Sequence, residues 1–201
     1  MAIFKPFKAW RPVAEKAALV ASKPYDVLNS DEARIEAEGN PISFLRIGKP
    51  EIDLDPSVDI HDPQVYLKGK ENLMKLIQDG ILVEDPENYF YVYAQTMNGR
   101  IQYGLVGCAS VEDYWNDIIK KHEKTRADKE EDRCNHVRVT NAHTGPIFLT
   151  YPDDDFINSE VAKISAVKPE IDIVAQDGIR HQCWVIRDKE LNSLIEKYKT
   201  K

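Results

Sequence analysis

The chain has 201 residues, with 27 Lys and Arg against 34 Asp and Glu, a formal charge of −7. With 42% hydrophobic and 30% charged residues it can bury a core, which excludes collagen-like, disordered and disulfide-scaffold compositions. The acidic balance argues against nucleic acid as a partner for the whole surface, because non-specific affinity for phosphate backbones comes from Lys and Arg. A local basic face stays open.

The longest unbroken apolar run, Tyr89 to Ala94, is far shorter than the roughly 20 residues a membrane helix needs. Lys5 and Pro6 interrupt the opening residues, so no export signal is expected. Cys108, Cys134 and Cys183 are odd in number and include no Cys-x-x-Cys pair, and they are expected to be reduced thiols in a cytoplasmic protein.

Along the chain, Val13 to Ala21 allows a short segment of either type. Ser30-Asp31-Glu32 predicts an N-cap followed by acids in the first turn of a helix, which Gly39-Asn40-Pro41 ends. Ile42 to Ile47 is a short apolar run before Gly48-Lys49-Pro50 and predicts a buried strand. A polar loop spans Glu51 to Pro63. Gln64 to Gln78 has its apolar residues near helical spacing, with Asp79-Gly80 as the stop.

Tyr89 to Gln95 and Arg100 to Val106 flank Asn98-Gly99, the dipeptide suited to a type I′ turn, and predict a hairpin. Ser110 to Asp113 predicts a helix start, with a long charged helix continuing to about His136. Ile147 to Tyr151 is strand-like. Ile171 to Val174 and Ile179 to Ile186 around Gln176-Asp177-Gly178 predict a second hairpin, and Asp188 caps a last helix. Hairpins alternating with helices favour an α+β domain, its sheet mixed but largely antiparallel with flanking helices, over a doubly wound parallel sheet.

The most informative stretch is Lys120 to Asn141. Steps of four and three residues join His122, Arg126, Lys129, Arg133 and His136, which on one continuous helix share a face. Such a cationic stripe offers Arg forks and a Lys point charge to phosphate or carboxylate oxygens. Glu123, Glu130 and Asp132 lie around it. The plainer reading is a solvated helix laced with i,i+4 ion pairs. Asn141, His143 and Thr144 can present donors at the mouth of the next strand, or simply form a turn.

Cys134, His136 and His143 are only three ligands at a spacing that fits no common zinc pattern, so no metal site is expected. Gly39 and Gly48-Lys49 fail the spacing of a Walker loop, and neither a dinucleotide fingerprint nor a hydrolase elbow occurs. Trp10, Trp115 and Trp184 stand apart from basic residues and are expected in the core or at an interface rather than as base-stacking platforms.

Several stretches in fixed order resemble the bacterial and archaeal domain-of-unknown-function family number 1015, nearly end to end. They are Pro24-Tyr25-Asp26-Val27, Glu32-Ala33-Arg34, Phe44-Leu45-Arg46 with Lys49-Pro50-Glu51, and Gly104-Leu105-Val106-Gly107. Lys121 to Arg126, Lys129 to Arg133 and Gly145 to Leu149 carry the resemblance most strongly. Family members continue through an Asp-Gly-His-His-Arg segment that looks like the signature of the sulfiredoxin and ParB-like superfamily, which includes free-serine kinases. The resemblance therefore implies a single α+β domain over 1–201, forming the N-terminal half of a longer architecture.

What the resemblance implies for function is part of a nucleotide-dependent phosphotransferase acting on a small hydroxy amino acid such as serine, with ATP or ADP and magnesium. Phosphoryl transfer needs cations for the phosphates and a base for the attacking hydroxyl. Arg126, Lys129 and Arg133 are the candidate cations, Glu123 the candidate base, and His122 and His136 candidate donors to phosphate. Tyr25 and Asp26 join the cleft by their place in the family pattern. The alternative is a non-catalytic module in which the same cations grip an anionic metabolite, a nucleotide or an acidic partner protein. Composition leaves the oligomeric state open.

Overall fold

Asn98 and Gly99 adopt φ of 51° and 77°, the left-handed pair that a two-residue hairpin turn requires. Around them the computed structural model, which describes residues 2–122 and 125–198, builds an α+β fold. In chain order the strands are β1 (Phe4–Lys5), β2 (Trp10–Pro12), β3 (Leu82–Glu84), β4 (Phe90–Met97), β5 (Arg100–Val106), β6 (Cys108–Ala109), β7 (Ile171–Val174) and β8 (Arg180–Ile186). The helices are α1 (Ala17–Val20), α2 (Ser30–Glu36), α3 (Leu45–Gly48), α4 (Pro63–Gln78), α5 (Val111–Trp115), α6 (Ala127–Thr140), α7 (Asp155–Ser165) and α8 (Lys189–Lys197). Short 3₁₀ turns cover Ala14–Lys16 and Pro50–Asp53. No helix among the described residues is long and apolar enough to cross a membrane.

The described residues pack as two compact units, drawn from Met1–Ala14, Glu84–Glu123 and Thr150–Lys201 in the first, and from Glu15–Val83 and Lys124–Leu149 in the second. The first unit is a four-stranded antiparallel sheet in the order β5-β4-β8-β7. Strand alternation sends Phe90, Val92, Ala94, Trp184 and Ile186 to one face, where they pack on Val161 and Ile164 of α7 and Leu191 and Ile195 of α8. Tyr91 and Val185 point the other way, against Phe7 and Ala9. Asp188 caps α8 by accepting from the Leu191 amide at 3.0 Å. Both predicted hairpins and the last helix are present.

On the face away from the helices, Arg11 donates through Nε and Nη2 to Asp85 at 2.8 and 2.6 Å, and the Tyr91 hydroxyl donates to the same carboxylate at 2.8 Å. Of the tryptophans, Trp184 is core, donating to the Val167 carbonyl at 2.8 Å, whereas Trp10 and Trp115 are exposed.

The second unit is helical. Val20, Ile47, Leu73, Leu76 and Leu82 form one core cluster and Ala33, Ala37, Leu45 and Ile52 another. The helix over 30–36 is capped one residue earlier than its sequence suggests. Asn29 and Glu32 form a reciprocal capping box and Ser30 is the first helical residue.

Three expectations need correction. Ile42 to Ile47 is not a strand; it turns into α3, which buries Leu45 and Ile47. An apolar run this short does not distinguish a buried strand from one buried helical turn. The charged helix is not continuous from 111 to 136, because α5 stops at Trp115 and Asp117 takes a left-handed φ of 59°. The amides of Ile118 and Ile119 bond back to the Asp113 carbonyl, so Asn116-Asp117 acts as a turn and a new helix starts at Ala127. Finally, Ile147 to Tyr151 forms no regular element and is exposed, with no strand partner among the described residues.

Candidate functional site

Helix α6 explains why its sequence looks so unlike that of a packed helix. Asp132, His136 and Thr140, spaced i, i+4, i+8, are its buried stripe, so the face turned into the second unit is polar. Every group on it has a partner. His136, 1% exposed, donates from Nε2 to the Ile47 carbonyl at 2.8 Å, which leaves Nδ1 to accept from the Thr144 hydroxyl at 3.4 Å. Burial lowers the His136 pKa against the pull of the Ile47 carbonyl, so the ring is held neutral. Thr140 donates to the His136 carbonyl at 2.7 Å.

Asp132 is the hub. Its carboxylate accepts from the Tyr66 hydroxyl of α4 at 2.9 Å, from His61 Nδ1 at 3.3 Å, and from Arg133 Nε and Nη2 at 2.9 and 2.6 Å. Burial alone would raise its pKa, but the bonds from Arg133, Tyr66 and His61 outweigh that and hold it low. The Tyr66 hydroxyl is pushed up to about 12 by burial and by the carboxylate it donates to.

Arg133 then lies with its guanidinium carbon 4.1 Å from the centre of the Tyr25 ring, a cation-π contact. Its third nitrogen, Nη1, makes no hydrogen bond among the described residues, and the side chain is 29% exposed. His61 is about half exposed, and its Nε2 likewise has no hydrogen bond among the described residues. The turn carrying Lys49 and Glu51 is packed close by. A Cβ at Gly48 would lie 3.6 Å from Tyr25 Cβ, and one at Gly69 would lie 2.8 Å from Pro50 and 3.5 Å from His136 Nε2. Lys49 pairs with Glu51 at 3.0 Å, and Ser30 donates to Glu51 at 2.8 Å.

This arrangement corrects the five-residue stripe. His122 sits in a bend before α6 and within the first unit. Arg126 is the N-cap residue of α6, largely exposed, and is forked onto Asp128 at 3.2 and 2.8 Å. Lys129 is exposed on the outer face, and only Arg133 and His136 turn inward. Glu123 lies outside the described residues. Asn141 ends α6 in a left-handed conformation, φ 55°, the ordinary role of Asn at that position, and Asp26 is exposed. Tyr25, Arg133, His136 and Thr144 are thus the sequence candidates brought together. Tyr66 and His61 were not legible, since each lies about seventy positions from Asp132 and meets it only through folding.

The partly exposed Arg133 guanidinium, with the His61 imidazole on the same carboxylate, suits an anion held by charge-assisted hydrogen bonds. Among the described residues no group of three or more His, Cys, Asp or Glu side chains is placed to hold a metal ion.

An α+β protein with a polar, arginine-bearing site in its helical unit is the class these features define. The chain belongs to the family described as protein of unknown function, DUF1015, whose model matches residues 4–200. No curated protein and no solved structure matches it.

Proposed function

We propose that the helical unit binds a small anionic metabolite, its carboxylate or phosphate seated on Arg133. The observation that carries this reading is the state of that guanidinium. Two of its nitrogens are fixed by Asp132 and its plane by Tyr25, while Nη1 is left unbonded among the described residues. An arginine already held in place loses little rotamer freedom when it takes a ligand oxygen. The three cysteines, all free thiols, support a reducing compartment, and we assign the protein to the cytoplasm.

A second reading, phosphoryl transfer from ATP or ADP with magnesium to a hydroxyl such as that of serine, is favoured by one specific feature. His61 has its Nδ1 on Asp132, so a neutral ring presents Nε2 as a proton acceptor. In this reading His61 takes the role of base for which Glu123 is the candidate by sequence.

The test is calorimetric titration of the purified chain with inorganic phosphate, phosphoserine, L-serine, ADP and ATP, the nucleotides with and without magnesium. Binding should be lost by about tenfold or more in Arg133→Ala, a change of about 1.4 kcal/mol. His61→Gln should spare it and abolish any phosphoserine formation. Equal affinity in wild type and Arg133→Ala for every compound bound overturns the assignment.

A further inference from the structure

The segment between Gly145 and Asp153 has the sequence of a strand and the surroundings of none. All nine residues are exposed, including Ile147 at 78% and Phe148 at 73%, and no backbone group from 145 to 153 hydrogen-bonds among the described residues. Four of the five residues from Ile147 to Tyr151 are strong strand formers, and the run is bounded by Pro146 and Pro152, which cannot donate to a ladder. Such a stretch loses free energy for as long as its apolar side chains face water.

The first unit offers what that segment lacks. Strand β5 is an edge of the four-stranded sheet, and its outer half is apolar on the helix-covered side: Ile101 is 48% and Tyr103 43% exposed. On the opposite side Gly104 leaves a gap, where an added Cβ would meet only the Tyr93 carbonyl, at 3.9 Å. Unprotected edges of this kind accept further strands.

We infer that Ile147 to Tyr151 of one chain adds as an antiparallel strand to the β5 edge of a second copy. One register satisfies both sides. With Phe148 opposite Gly104, Ile147, Leu149 and Tyr151 face Leu105, Tyr103 and Ile101 on the apolar side, and Thr150 faces Gln102 beside Phe148. Phe148 then covers the open glycine, a pairing that stabilises edge glycines, and Pro146 and Pro152 fall opposite Val106 and Arg100, whose amides bond β4, so neither proline leaves a ladder bond unmade. A slip of one residue would send the three apolar side chains to the wrong face. Reciprocal exchange gives a closed two-fold dimer.

Sedimentation equilibrium of the whole chain tests this. The expected result is a species of twice the chain mass that falls to the single mass in Leu149→Pro, which removes the donor that faces Tyr103 in this register and has no partner among the described residues of the isolated chain. It should fall equally in Ile101→Lys, which places a charge on the edge. Circular dichroism checks that each variant folds, and Phe148→Asp, at an exposed position, replaces either one that does not. A wild-type chain that stays monomeric into the submillimolar range overturns the inference and leaves the segment to a different partner. A dimer that survives substitution on either side overturns it as well, by placing the contact elsewhere.

Discussion

The Tyr66 hydroxyl donates to Asp132 Oδ1 at 2.9 Å, the same oxygen that receives His61, so a helix of the second unit fixes the carboxylate that fixes the arginine. Tyr66→Phe removes this bond without opening a cavity. Its loss should cost about 1 kcal/mol in urea denaturation. Asp132→Ala should cost about 3 kcal/mol, because it strips Tyr66, His61 and Arg133 of their shared acceptor. Phosphate or phosphoserine titrations of the two variants separate roles. A structural tyrosine leaves affinity unchanged in Tyr66→Phe, whereas one that positions Arg133 through Asp132 lowers it.

In the first unit the forked Arg11 and Asp85 pair, with side chains 18% and 6% exposed, predicts acid sensitivity. Burial pushes the Asp85 carboxyl up, but the bonds from Arg11 and Tyr91 more than offset it and leave its pKa below the ordinary carboxylate range. The unfolded chain therefore takes the proton first, as pH falls below about 3.9, and the pair's stabilisation is present above that value and lost as pH falls through the native pKa. Asp85→Asn should cost about 3 kcal/mol near neutrality and flatten this acid limb. Chemical denaturation across an acid series, compared between wild type and Asp85→Asn, checks both.

What the sequence disclosed follows the range of the interactions involved. Asn98-Gly99 and Asp177-Gly178 specify hairpins locally, and Asp188 specifies a cap, so β4 with β5, β7 with β8, and α8 were all legible. Helix α4 was legible because its apolar spacing matches the face it buries. Helix α6 misled because its buried stripe is polar, so hydrophobic periodicity carries no signal there; the spacing of Asp132, His136 and Thr140 was the available sign. The break at Asp117 depends on a single left-handed residue, which a run of charged helix formers on both sides conceals. Tyr25 with Arg133 was suggested by the family pattern alone. No local rule connects His61 or Tyr66 to Asp132.

Gly107 sits where the chain leaves β5 for β6. A Cβ there would lie 2.5 Å from the Phe4 ring and 2.7 Å from Phe90, whose rings stack with centroids 5.0 Å apart. Phe90 is fully buried and has no room to retreat. Gly107→Ala should therefore force the Phe4 ring off its partner and destabilise the first unit by about 2 kcal/mol. Pairing it with Phe4→Ala, which removes the obstructing ring, should give a double variant less destabilised than the sum of the singles. Additive costs would mean that the clash does not control the energetics.

His136 makes the opposite pH dependence from an ordinary surface histidine. Burial lowers its pKa from the usual 6.5, partly countered by its bond to the Ile47 carbonyl, with the charge of Arg133 lowering it further. The unfolded chain therefore binds a proton that the folded chain refuses, so stability is full above the unfolded value and declines as pH falls below it. Denaturant midpoints should drop between about pH 7.5 and about pH 5.5, a window set by the unfolded imidazole and well above the acid limb of Asp85. His136→Gln keeps a donor for the Ile47 carbonyl but cannot take up a proton. It should be less stable at the upper pH by about 1 to 2 kcal/mol and show a shallower decline across the window. An unchanged slope in His136→Gln would assign the decline to another group and show that the polar stripe of α6 does not control it.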